Sequence, residues 1–130
     1  MSVFASLILS ATVASAMVVI DETRIKRDEP PPHGNIGMST VSPLTETVAG
    51  RTLEFRKRSL HKGAAIGLHV INHDEVYYVV SGEGEVTSDG QTQPLTAGMM
   101  AYLYSGANVG ITQTGDAPLT LIISYPVVKP

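Results

Sequence analysis

The chain has 130 residues, 43% of them apolar and 16% charged, enough to bury one core and too apolar for a disordered segment. Nine basic against twelve acidic side chains give a net charge of −3, which argues against the dense basic face a nucleic-acid binder uses to displace counterions. The absence of cysteine excludes disulfides, thiolate zinc sites and cysteine nucleophiles, and twelve glycines with eight prolines point to a turn-rich β protein.

Residues 1–16 read MSVFASLILSATVASA. The apolar or small stretch is too short for the ~20 residues that span a bilayer. Its end, Ala14-Ser15-Ala16, fits the small-x-small cleavage pattern of a secretory leader, yet no Lys or Arg precedes Arg24. Three readings stay open: a leader, giving a secreted or periplasmic chain; a start at Met17, giving a cytoplasmic one; or a short apolar helix docked on the body. Residues 17–50 are expected to form an N-terminal arm and lead-in strand. Within them, residues 21–29 (DETRIKRDE) carry charge without an apolar period and read as a solvated lead-in. Pro30-Pro31-Pro32-His33-Gly34 cannot continue a helix or a central strand, because proline lacks the amide donor and fixes φ. An extended arm lying over something is the expectation.

Residues 51–130 read as the main domain. Short β-type runs follow at 52–58, 66–71, 75–81, 84–88, 99–104, 109–113 and 119–125, separated by polar or glycine-containing breaks. Asp89-Gly90 after the fourth run is a tight-hairpin signal, since both positions tolerate φ > 0. Seven or more short strands at 8–12-residue spacing predict an all-β antiparallel sandwich or barrel. No Ser-His-Asp set, phosphate-cradling glycine loop or dinucleotide fingerprint is present.

The stretch GAAIGLHVINHDEVYYVVSG, from Gly63 to Gly82, resembles the first motif of the cupins: glycine, five residues, His-x-His, three or four residues, Glu, six residues, glycine. His69 takes the first histidine position, Ile71 the second, and Glu75 the carboxylate. The second motif resembles residues 98–113, with Gly98 at its start, Tyr104-Ser105-Gly106 for Pro-x-Gly, Val109 in the histidine place and Gln113 in the asparagine place. Fifteen residues, 83–97, separate the two, as in compact microbial members. The resemblance covers about residues 50–125 and implies an antiparallel double-stranded β-helix, or jelly-roll barrel, preceded here by an extended N-terminal arm. It also implies a homodimer, which would cover otherwise bare edge strands.

In that family, side chains at i and i+2 point to the same face of a strand, so His-x-His brings two imidazoles together inside the barrel. The resemblance implies an open site of three histidines and a glutamate for a divalent ion. Here only His69 and Glu75 remain, since Ile71 and Val109 have no lone pair to give, and two ligands rarely hold such an ion. His73 shares the parity of His69, and a relocated set of His69, His73 and Glu75 is the metal-binding alternative; otherwise His73 is an exposed turn residue. His33, on the proline arm, is placed to fold over the barrel mouth, and Gln113 is an oxygen donor but a poor transition-metal ligand.

His69 and Glu75 read either as a hydrogen-bonded structural pair or as contacts to a ligand, with Glu75 open to tuning by burial. Tyr77 shares the parity of Glu75 and is expected to face the pocket, with Tyr78 facing out. Arg56 and Arg58 share one face of their strand: turned inward, Arg56 would select an anion; turned outward, the run is a solvated face. Met99, Met100, Tyr102 and Tyr104 read as pocket wall or core. The favoured function is a small organic ligand held in the barrel by His69, Glu75, Tyr77, Ile71, Val109, Gln113 and Arg56, without the full metal centre. The alternative is a metal-dependent isomerase, lyase or dioxygenase. Partners reduce to a small-molecule ligand and a second copy, with no nucleic acid and no membrane span.

Overall fold

The structure, a computed structural model, describes residues 16–127. The leader reading of residues 1–16 therefore falls almost wholly outside the described residues. Among the described residues, apart from a three-residue 3-10 turn at Glu22–Arg24, the regular elements are strands. They are β1 (Arg27–Glu29), β2 (Ser39–Ser42), β3 (Leu53–Leu60), β4 (Ala65–Val70), β5 (Glu75–Ser81), β6 (Glu83–Ser88), β7 (Gln91–Thr96), β8 (Met100–Leu103), β9 (Asn108–Thr114) and β10 (Leu119–Pro126).

The ten strands form two antiparallel sheets, one in the order β1-β2-β3-β10-β5-β8 and the other β4-β9-β6-β7. Their inner faces enclose a core that includes Leu60, Val79, Val86, Ile111, Leu119 and Leu121. The β6–β7 connection is the expected two-residue hairpin, with Ser88 paired to Gln91 and both Asp89 and Gly90 at positive φ. Pro94 sits in β7, a sheet edge, where its missing amide donor is tolerated.

Two features differ from the pattern in the sequence. The lead-in is not merely solvated: β1 pairs with β2, and β2 with β3, so residues 27–42 extend the larger sheet. Also, Met99, Met100, Tyr102 and Tyr104 are not core. They are exposed and line an outer groove: Met100 and Tyr102 alternate outward along β8, and Met99 and Tyr104 flank it.

The candidate ligand pocket

A bulge in β4 decides what faces the interior. Ile66 pairs with Ile111, yet His69 pairs with Val109, so two residues of β4, Gly67 and Leu68, oppose one of β9, Gly110. Before the bulge Ala65 and Ile66 are buried; after it Leu68 and Val70 turn to solvent, while His69 and Ile71 turn inward. Gly67 sits in the bulge, and a Cβ there would lie 1.8 Å from the His33 carbonyl oxygen. A glycine is needed because the proline arm crosses at this point. The arm holds His33 at a left-handed φ of 65° and lays its ring on His69, with centroids 3.5 Å apart and planes 5° from parallel.

Beneath the arm lies a cavity of about 240 Å³, lined among others by His33, His69, Ile71, His73, Glu75 and Tyr77. The His69 Nδ1–H donates to the Gly67 carbonyl at 2.8 Å, which leaves Nε2 as the ring's acceptor in the neutral form. Two residues beyond Ile71, His73 is not an exposed turn residue. It is half-buried, contacts Glu75 Oε1 through Nε2 at 3.0 Å, and stacks on Tyr125 with centroids 4.2 Å apart. The break that carries it is pinned: Asp74 accepts from the Tyr102 hydroxyl at 2.6 Å and from the Ser105 amide at 2.9 Å. Glu75 is buried, and Tyr77 is buried beside it. Burial pushes the Tyr77 phenol well above its ordinary range, with Glu75's charge and hydrogen bond adding to the effect.

The opposite wall is cationic. The β3–β10–β5 register sets Arg56 across from Ile123 and Ile123 across from Tyr77, one row facing inward. Arg56 and Arg58 both line the cavity, so the basic run is not a solvated face. Arg58 is only 2% exposed. Its Nη1 donates to Ser39 Oγ at 2.7 Å and its Nη2 to Glu29 at 3.3 Å, so the lead-in strands supply its partners. Burial and the charge of Arg56 hold Arg58 below its ordinary value, against the pull of Glu29. Arg56 loses to burial as well, but its 2.7 Å bond to Glu54 more than restores it. The Nε–H of each arginine is buried with no acceptor.

Two residues singled out by the motif lie elsewhere. Val109 is fully buried in the hydrophobic core and is not among the cavity-lining residues. Gln113 is not at the cavity either, because its amide is consumed at the far end of the barrel. There Oε1 accepts from the Gly63 amide at 2.8 Å, and Nε2 donates to the carbonyls of Thr114, Gly115 and Ala117. Arg58 and Tyr125 were missed as pocket residues, although Arg58 shares the parity of Arg56 and was legible to that extent.

The donors present do not fit the four-ligand ion site that the motif implies. Ile71 is 3% exposed and Val109 0%, both inward and neither a ligand. Among the described residues no three His, Asp or Glu side chains, His69, His73 and Glu75 included, are grouped as they would need to be to hold a metal ion. His33 and His69 stack in parallel, which sets their nitrogens side by side instead of aiming them at one point. Glu75 is taken up by His73, and the nearby guanidiniums oppose a second cation.

The family model for the cupin domain matches residues 57–125. The chain is a cupin. This cupin is 30% identical over 78 residues to an oxalate-binding protein of Thermotoga maritima, an alignment that covers 59% of this chain and 64% of that protein. The chain thus matches under two thirds of that curated relative's length. In fold it resembles a predicted oxalate decarboxylase from Thermotoga maritima, with a TM-score of 0.75 and 24% identity over 85% of this chain and 100% of that one. It also resembles a polyketide cyclase from Streptomyces resistomycificus, with a TM-score of 0.72 and 16% identity over 88% of this chain and 82% of that one. Both likenesses concern the fold alone.

Proposed function

We propose that this cupin binds a small organic ligand in the cavity under the proline arm, without the four-ligand metal centre of the family motif. The observation that carries the reading is the composition of that cavity. At the place the motif reserves for coordination, Ile71 faces His33, His69, Glu75 and two guanidiniums across about 240 Å³ of space. Pockets with mostly apolar walls and a few fixed polar groups are the usual form of a small-molecule site. The curated relative, named as an oxalate-binding protein, supports small-ligand binding in this family. His69 Nε2 supplies an acceptor, the arginines supply donors, and the isoleucines exclude water from the bound molecule.

The test is to denature the purified full chain and identify by mass spectrometry what it releases. The expected result is one small organic species, lost when Ile71→Trp fills the cavity while the fold is retained. Release of nothing from wild type, or release undiminished by a folded Ile71→Trp variant, would overturn the reading.

A further inference from the structure

We infer that the ligand is a monocarboxylate with an apolar or aromatic body, its carboxylate taken by Arg56 and Arg58. This rests on the pocket reading above and names the chemical class of its occupant. Two guanidiniums and one carboxylate, Glu75, line the cavity; Glu54 and Glu29 pair with the guanidiniums from outside the lining, so the surface a ligand meets carries more cationic than anionic groups. The guanidinium is the side chain best shaped for a carboxylate, which it meets through two parallel N–H donors. Both arginines hold existing partners through Nη atoms, yet each leaves its Nε–H buried and unsatisfied. Such an orphaned donor is costly, and an arriving carboxylate would give it an acceptor, with the Nη bonds of the same planar guanidinium adjusting as it turns.

The rest of the lining sets the body of the ligand. Pro32, Ile66, Ile71 and Ile123 offer apolar surface, and the Tyr125 ring lies among them. A second carboxylate at that end would be buried against isoleucine or set beside Glu75, and both are unfavourable. Size points the same way. A two-carbon dianion such as oxalate occupies about two to three water volumes, ~60–90 Å³, and leaves most of the cavity empty.

The test is calorimetric titration of the full chain, stripped of co-purified molecules, with benzoate, benzamide, oxalate and oxamide. Benzoate is expected to bind at least about tenfold more tightly than benzamide, and more tightly than oxalate. Arg56→Gln, the less buried of the two sites, is expected to weaken benzoate about tenfold to a hundredfold and benzamide hardly at all. Equal affinity for benzoate and benzamide would overturn the anion class while leaving the pocket reading intact. Oxalate binding more tightly than benzoate would overturn the monoanion with an apolar body. No benzoate binding up to about 10 mM, from a chain that does release an organic species, would overturn the inference alone.

Discussion

The imidazole of His33 lies face to face on that of His69, ring centroids 3.5 Å apart, and so ties the proline arm to the barrel strand that carries the first motif histidine. The stack brings a residue outside the motif into the lining of the cavity. Burial, and secondarily His69, hold His33 below its ordinary value, which favours the uncharged ring in this stack. His33→Ala is expected to cost about 0.5–1.5 kcal/mol in urea unfolding, the worth of a ring pair. It is also expected to accelerate ligand dissociation, read by stopped-flow displacement. An unchanged dissociation rate would show that the arm does not cover the occupied pocket.

Gly67 is where arm and bulge meet. A methyl group there would collide with the His33 carbonyl at 1.8 Å, against backbone and not a yielding side chain. Gly67→Ala is expected to destabilise the chain by about 1–3 kcal/mol or to displace the arm. Amide hydrogen exchange over residues 30–37 reads the second outcome. Protection and stability both at the wild-type level would mean that the close approach is not made in solution.

Gln113 separates the motif's usual use from its use here. Its amide satisfies one backbone donor and three carbonyls around the 113–117 turn. Gln113→Ala is expected to lower stability by about 2–4 kcal/mol, since several buried partners lose their bond at once. Ligand affinity, measured at a temperature where the variant is folded, is expected to stay within about threefold of wild type. A selective loss of affinity would return Gln113 to the pocket.

The acid limb of stability follows from the carboxylates that face the arginines. Glu54 lies below its ordinary value of 4.5 because Arg56 and Arg51 outweigh burial, and Glu29 does so chiefly through Arg27. With both values depressed in the folded chain, the unfolded chain takes up protons first as pH falls through 4.5. The stabilisation is therefore complete above that pH and declines as pH drops toward the folded values. Thermal unfolding between about pH 3 and 7 is expected to show this fall, and Glu54→Gln to flatten it while lowering stability at neutral pH. An acid limb of identical slope in that variant would exclude Glu54 as a contributor.

Much of this was legible in the residues. The β-branched runs, the Asp89-Gly90 turn and the two motifs in register specify the barrel, because period-two alternation and turn chemistry are local properties. The pocket was legible only in part. His69, Ile71, Glu75 and Tyr77 followed from motif and parity, but the inward face of Arg56 and Arg58 did not, since alternation leaves undecided which of two faces meets the core. The position of His73 depends on Asp74 reaching residues 102 and 105, and the partners of Arg58 depend on β1 and β2, three- and four-residue strands with no apolar period. Gln113 illustrates the converse: its place in the motif was right, while its side chain spends every bond on backbone the sequence could not bring near.

The proposed organic-ligand pocket lies where the family motif would hold an ion. The most direct measurement is metal content by plasma mass spectrometry, after the full chain is exposed to Fe, Mn, Ni and Zn in turn and dialysed. Far less than one ion per chain is expected for every metal, with His73→Ala no different from wild type. One tightly retained ion per chain, lost on substituting His69 or Glu75, would contradict it.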